Sequence, residues 1–424
     1  MPTIKDSVHN HIELDGVAAD LLDTPPVQRL RYVRQLGTVS LVYPSANHTR
    51  FEHTLGVYHL VRQACAHLGL DERTTLHLEA ASMVHDIGHT AFSHNLEPLL
   101  ERETDSAHDD IDHLLRADPI ATVLDEYDLS IRRIRSLVHG RGTVGQLLAG
   151  ELDVDRMDYL VRDAHHTGVP YGTIDPGRLL HQLAIVDGDL VLEEGNVQSA
   201  ESLLIARALM NPTVYNHHVS RISKAMLRRA LMRLFDEVPP RDSLEPMVDP
   251  WPGAARRVHP LRQAADHDVL VALREHEATA PLVHRLVTRD LYKRAIWAER
   301  DAVAEEIRSF DADDCLEAER AIADRADVDH SAVIIDVPEP TEFSEASSRV
   351  IVNGEVRHIG EQSPLVSALQ ANESSQWRLG IYSPADLTDR VGQAAVEELD
   401  LAVGDHLVSE YGRGLHRALG EFVD

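Results

Sequence analysis

Val57, Leu60, Val61, Ala64 and Leu68 recur at the spacing that lines one face of an α-helix. Leu76, Ala80, Met83, Val84 and Ile87 repeat the stripe, and Gly88 follows as a stop signal. Upstream, residues 3–14 alternate around His9-Asn10 as a short β-hairpin would, and from Asp23 onward the pattern turns helical. Helical patterning is then expected over about residues 107–116, 130–137, 151–166, 176–186 and 199–235. IVDGDLVLEEGN (185–196) reads as a second hairpin turning at Asp187-Gly188.

Residues 239–260 break the pattern with six of the chain's 20 prolines, which marks a loop or boundary. Beyond it the spacing predicts helices at about 261–277, 281–308 and 314–326, and a final helix at about 385–418. Between them SAVIIDVPEP, SSRVIVNGEVRHIG and SQWRLGIYSP read as short strands, with Asn353-Gly354 as a hairpin turn. The fold class expected is a mainly α body with short hairpins and a smaller α+β C-terminal part. The expected domains are 1–238, a Pro-rich connection at 239–260, and 261–424.

Composition narrows the function. Seventy acidic residues against 41 basic give a formal charge of -29 over 424 residues, and only Lys5, Lys224 and Lys293 are lysines. An acid-rich, lysine-poor surface suits a halophilic cytosol, where screening shortens to about 3 Å at 1 M salt. It also makes strong nucleic-acid binding unexpected, because Lys and Arg contacts to phosphate dominate that affinity. No stretch approaches the about 18 apolar residues of a membrane span, and the N-terminus shows no secretory pattern. Two cysteines, Cys65 and Cys315, supply no disulfide framework. A cytoplasmic location is the expectation.

Three separated segments carry the side chains that do chemistry: NHTRFEHTLGV (47–57) with His53, MVHDIGHTAFSH (83–94) with His85, Asp86, His89 and His94, and ELDVDRMDYLVRDAHH (151–166) with Asp155. Ten of the 26 histidines lie between His48 and His113, so a single histidine there says little. The adjacent His85-Asp86 pair, with His53 upstream and Asp155 downstream, is more telling. Imidazole and carboxylate together suit a divalent transition metal that keeps positions open for water and substrate. On a helix, His85 and His89 four apart would share a face. The competing assignment for any one of these groups is a satisfied core or surface side chain.

The segments 29–57, 85–94 and 153–169 together resemble the HD phosphohydrolase superfamily. More narrowly they resemble its deoxynucleoside triphosphate triphosphohydrolase branch, which includes the vertebrate SAM- and HD-domain enzyme. The likeness runs from Ile4 to about Phe235, includes ESLLIARALMNPTVYNHHV (201–219), and weakens in the C-terminal part. It implies an HD-domain helical bundle and a metal-dependent hydrolysis of dNTPs to deoxynucleoside and inorganic triphosphate. By the resemblance, His53, His85, Asp86 and Asp155 are metal ligands, the metal being Mn, Fe, Zn or Ni, with Mg accompanying the nucleotide. Arg50, His89, Arg156 and Arg207 match triphosphate contacts. His94, Glu97 and His108 match the catalytic histidine, its acidic partner and a further histidine near the phosphates. Gln35 and Asp163 match contacts to the sugar 3′-OH, Leu36 and Tyr159 the wall that disfavours a 2′-OH, and Tyr215 an aromatic beside the sugar and base.

The likeness extends to an allosteric nucleotide site. Asp23, Gln28 and Arg31 in DTPPVQRLR match guanine-recognising residues, while Arg178, Arg289 and Lys293 match phosphate contacts from neighbouring chains. It implies a GTP or dGTP effector bound between subunits of a homo-oligomer, a dimer or tetramer. The alternative for Asp23 is a cap on the helix beginning near Pro25. Two other functional readings stay open: an HD phosphohydrolase acting on mono-, ribo- or cyclic nucleotides, and a non-catalytic nucleotide sensor.

Overall fold

The computed structural model describes residues 2–245, 258–338 and 348–402. It is mainly helical, with three small sheets, and its contacts divide it into two compact units that interleave along the chain. The first comprises residues 1–220, 230–280 and 344–369; the second comprises 221–229, 281–343 and 370–424.

The first unit carries all three chemistry-bearing segments. Its hairpin pairs Thr3–Asp6 with Asn10–Glu13, as the alternation predicts. The next helix, Gly16–Leu22, begins before Asp23, because Val17, Ala18, Leu21 and Leu22 already form a buried face. The central helix Arg50–Leu68 is fixed at both ends. Glu52 accepts from the Thr49 N–H at 2.7 Å, and Gly69 ends the helix at φ 60, a left-handed conformation that glycine adopts without strain. Val57, Leu60, Val61 and Ala64 are buried on it, and Leu68 is half-buried. Helix Glu72–Val84 follows and packs against it, capped by Asp71, which accepts from the Thr74 N–H at 2.9 Å. Helix Val154–Thr167 starts on Asp153, which accepts from the Arg156 N–H at 2.7 Å.

Several expectations need correction. Residues 107–116 hold only the short helix Asp112–Leu115. The span 176–186 is a helix, Pro176–Leu180, followed by strand Leu183–Val186, whose alternating side chains prefer the hairpin with Asp189–Leu192. The span 199–235 is two helices, Val197–Met210 and His218–Glu237, separated by a π turn at Asn211–Tyr215 where Pro212 interrupts the hydrogen bonds. Asp187 and Gly188 take φ 52 and 88, the turn expected of that pair. Hairpin Arg349–Val352 and Glu355–His358 joins the same sheet through a parallel contact of Leu192 with Val350. Residues 246–257, inside the Pro-rich stretch, lie outside the described residues.

In the second unit, strands Lys293–Glu299 and Ile334–Asp336 flank Arg378–Ser383 in an antiparallel sheet. Lys293–Glu299 falls inside the span expected to be helical, 281–308; there Ala295, Ile296, Trp297 and Ala298 are all buried, a run too uniformly apolar for a half-exposed helix. Helices Ala312–Ala326 and Thr388–Glu398 supply Ile322, Ala323, Val391 and Ala395 to this unit's core. The final helix expected over about 385–418 runs only from Thr388 to Glu398; residues 399–402 leave the helix, and residues 403–418 lie outside the described residues.

Candidate active site

In the first unit His53, His85, Asp86 and Asp155 converge. The His53 Nε2 is 2.8 Å from Asp155 Oδ1 and 3.9 Å from Asp86 Oδ2. The His85 Nε2 is 3.5 Å from Asp86 Oδ1 and 3.7 Å from Asp155 Oδ1. Ligands about 2.0–2.2 Å from one ion at ordinary coordination angles are about 3–3.5 Å from each other, so His53, His85 and Asp86 are close to a ligand shell, with Asp155 beside both histidines. His85 donates from Nδ1 to the Ser82 carbonyl at 2.7 Å, which leaves its Nε2 lone pair facing the cluster. That buried Nε2 makes no hydrogen bond. An unmet acceptor beside two carboxylates is what a cation would complete, and the donor set fits a divalent transition metal.

The local geometry differs from the expected helical face. Helix Glu72–Val84 ends before His85, residues 85–88 form a turn, and His89 follows it. The turn nevertheless brings His85, Asp86 and His89 together, with His89 Nε2 3.3 Å from Asp86 Oδ1. Gly88 permits the close approach: a Cβ there would meet the His108 carbonyl oxygen at 2.0 Å.

A layer of charge that the sequence did not reveal supports the cluster. Asp158 accepts from His53 Nδ1 at 2.8 Å, from His9 at 2.7 Å, and from Arg162 at 2.9 Å on each oxygen. Arg162 in turn donates to Asp6 at 2.8 Å. Gly56 makes room for this: its Cβ would meet Asp158 Oδ1 at 1.8 Å. The only sequence signal was the Asp155, Asp158, Arg162 spacing of three and four, which places successive charges on one face of a helix.

These contacts set protonation. Burial alone would favour neutral His53, but hydrogen bonds to Asp155 and Asp158 outweigh it and push its pKa up to about 10. Burial opposes ionisation of Asp86, yet Arg50 beside it, with His85 and His89, holds it well below the usual carboxylate range. Asp158 is likewise held well below, burial being outweighed by Arg162 and the two histidines. His89 is driven well below the ordinary imidazole value by burial and by Arg50.

Next to this cluster lies a second one. Glu97 receives His94 Nδ1 at 2.5 Å on one oxygen and His108 Nδ1 on the other. His89 stacks on His108 with ring centroids 4.0 Å apart and meets His94 edge-on. The donor atoms of His89, His94 and His108 lie within 4.8 Å of one another. Glu97 orients two imidazoles so that their Nε2 atoms point away from it. The His94 side chain is 60% exposed, so it can reach a bound molecule.

The remaining expected residues fall as follows. Arg50 is buried, donating to both Asp86 oxygens at 2.9 Å and to Ser93 at 2.8 Å. Arg156 donates to Asp153 at 2.6 Å and to the Gly150 carbonyl. Asp163, buried, accepts from Tyr215 at 2.8 Å and pairs at 2.7 Å with His48, a residue absent from the expected set. Tyr159 meets the Tyr215 ring edge-on, 6.2 Å between centroids, and Arg207 is an electrostatic neighbour of both. The Gln35 side-chain oxygen is buried without a partner, and Leu36 is half-buried at the start of a 3₁₀ turn. In the Asp23 stretch, Gln28 accepts from Arg31 at 2.8 Å, Arg31 covers the Phe51 ring, and Asp23 is exposed. Thr24, not Asp23, is the N-cap position of helix Pro25–Arg29. Arg178 is exposed in the first unit, Arg289 and Lys293 in the second.

A mainly helical unit that gathers His53 from helix Arg50–Leu68, His85 and Asp86 from the turn 85–88 and Asp155 from helix Val154–Thr167 defines a metal-binding phosphohydrolase of the HD type. The HD domain pattern matches residues 50–163 and the HD associated region matches residues 174–410. The chain belongs to the HD-domain phosphohydrolase family and is a hydrolase of that kind, with a site for a divalent metal. An uncharacterized protein of Methanocaldococcus jannaschii is 30% identical over 97% of this chain and 88% of its own length. Human deoxynucleoside triphosphate triphosphohydrolase SAMHD1 is 28% identical over 56% of this chain and 45% of its own length. A phosphohydrolase from Bacteroides thetaiotaomicron superimposes with a TM-score of 0.72 and 25% identity, over 91% of this chain and all of its own. Among the described residues no helix is long and apolar enough to cross a membrane.

Proposed function

We propose that the chain hydrolyses deoxynucleoside triphosphates to deoxynucleoside and inorganic triphosphate. The observation that carries this is the convergence of His53, His85, Asp86 and Asp155 beside a Glu97-oriented imidazole pair. Likeness to the human triphosphohydrolase and the Asp163–Tyr215 pair support the deoxynucleotide. When bound, a divalent ion polarises a phosphoryl oxygen and lowers the pKa of coordinated water. The chain's own groups do the rest. Arg50, Arg156 and Arg207 neutralise the triphosphate locally, which a protein of charge -29 requires, and neutral His89 adds a hydrogen-bond donor. Gln35 and Asp163 hold the 3′-OH, and Leu36 with Tyr159 crowds a 2′-OH, beside Tyr215. Water attacks the α-phosphorus and the bond to the 5′-oxygen breaks. His94, steered by Glu97 and with His108 at hand, gives that oxygen its proton.

GTP or dGTP at an inter-subunit site formed by Asp23, Gln28, Arg31, Arg178, Arg289 and Lys293 is the regulatory part of the proposal, and the active species is a homo-oligomer. The Gln28–Arg31 hydrogen bond beside exposed Asp23 supports it by presenting donors and acceptors on one short stretch. The test is to incubate the protein with Mn²⁺ or Mg²⁺ and each dNTP, with and without GTP, and to separate the products. Deoxynucleoside plus triphosphate is expected. Monophosphate plus pyrophosphate, or turnover of ribo- or cyclic nucleotides alone, replaces the proposal with another phosphohydrolase activity. Nucleotide binding without turnover replaces it with a sensor. Sedimentation unchanged by GTP across protein concentrations removes the regulatory part.

A further inference from the structure

We propose that Asp266 is a positioning residue that ties the His94 loop to the Gln35–Leu36 segment. It sits at the start of helix Asp266–Glu275 and is 7% exposed. One of its oxygens accepts the Phe92 N–H at 2.6 Å and the other accepts the Arg34 N–H at 3.2 Å. Those two peptides belong to different segments: one leads into His94, the other into Gln35 and Leu36.

The loop needs holding. Phe92 and Ser93 take φ 57 and 55, two consecutive left-handed residues with side chains, a conformation that persists only where surrounding contacts impose it. Ser93 Oγ donates to the Arg34 carbonyl at 2.6 Å and accepts from Arg50, so a second bond joins the same two segments. Gly37, at φ 54, closes the joint: a Cβ there would meet Asn95 Nδ2 at 2.2 Å and the Phe92 carbonyl oxygen at 2.7 Å. Asp266 is not spent on its own helix, because Asp268 already accepts the Ala265 N–H at 2.7 Å. Its neighbours act alike. Arg262 donates to the Ala107 carbonyl at 2.7 Å, and Arg29 bridges the carbonyls of Ala264, at 2.7 Å, and His89, at 2.5 Å. Burial raises the Asp266 carboxyl to about 6, and the two N–H bonds offset that rise only in part. A carboxylate is required because both oxygens must accept; an amide offers one acceptor.

The activity arm of the test rests on the proposed dNTP hydrolysis; the exchange arm does not. In Asp266→Ala, which removes both acceptors, hydrogen exchange at the Phe92 and Arg34 amides accelerates together, while metal content stays that of the unaltered protein. With dNTP, kcat falls about 10- to 100-fold with KM little changed, and the preference for deoxy- over ribonucleotide narrows. Loosening of one amide without the other overturns the proposal, as does joint loosening with kcat and sugar preference intact. Should that variant not fold, exchange in the unaltered protein decides: a shared opening rate for the two amides supports the tie and independent rates overturn it. An unaltered protein inert toward every dNTP sinks the proposed activity and leaves the exchange result to judge Asp266.

Discussion

The two imidazole–carboxylate clusters of the first unit use the same side chains for different ends. Around His53 and His85 two carboxylates face two imidazoles, His53 and Asp86 buried and His85 and Asp155 half-buried, and a further layer of Asp158, Arg162 and Asp6 fixes the geometry. Around Glu97 one carboxylate serves His94 and His108, and His94 opens to solvent. Two carboxylates facing two imidazoles in a braced, largely buried pocket suit a cation. A shared carboxylate steering exposed imidazoles suits hydrogen bonding and proton transfer to a bound phosphate ester. On the proposed reading, the ratio of carboxylate to imidazole and the depth of burial, more than residue identity, separate ion holding from proton handling.

Variants can break that comparison. Asp86→Ala removes a carboxylate shared by His85, His89 and Arg50, and the expected outcome is loss of stoichiometric metal with turnover at background. His94→Gln leaves the ion in place and lowers kcat about 10²- to 10⁴-fold; metal loss in this variant would merge the two clusters into one. Asp158→Asn weakens the hold on His53 and lowers metal affinity about 10- to 100-fold, read by competition with a chelator. Next comes proton release. A ligating imidazole must be neutral, and His53 in the metal-free protein stays protonated up to about 10, so binding at pH 8 releases close to one proton from it. Calorimetry in two buffers of different ionisation heat measures this. The linkage has a sign: the folded pKa exceeds the unfolded value of about 6.5, so the stability His53 contributes to metal-free protein is complete below about 6.5 and is lost as pH rises through about 10. The smallest effect is acid sensitivity. Asp158 and Asp86 are depressed, so their contribution is present above about 3.9 and is lost only as pH falls below it, which unfolding midpoints along a pH series would show.

Much of this was legible in the chain. The stripe of Val57, Leu60, Val61 and Ala64 and the Asp187-Gly188 and Asn353-Gly354 turns are local signals, and local physics determined them. The His85-Asp86 pair and its distant partners were visible as residue types. What escaped was long-range or lacked a marker. Asp6 and Arg162 lie 156 positions apart, and no spacing rule connects them. The left-handed pair Phe92-Ser93 carries no glycine to announce it. Lys293–Glu299 mixes charged ends with a short apolar run, which periodicity alone cannot assign to helix or strand.

The most direct test of the central claim is an anomalous-scattering map of crystals grown with Mn²⁺, paired with metal analysis of the same protein. One ion per chain, bonded to His53, His85, Asp86 and Asp155, is the predicted result. An ion held instead among His89, His94 and His108, or those four side chains diverging with no ion between them, would contradict it.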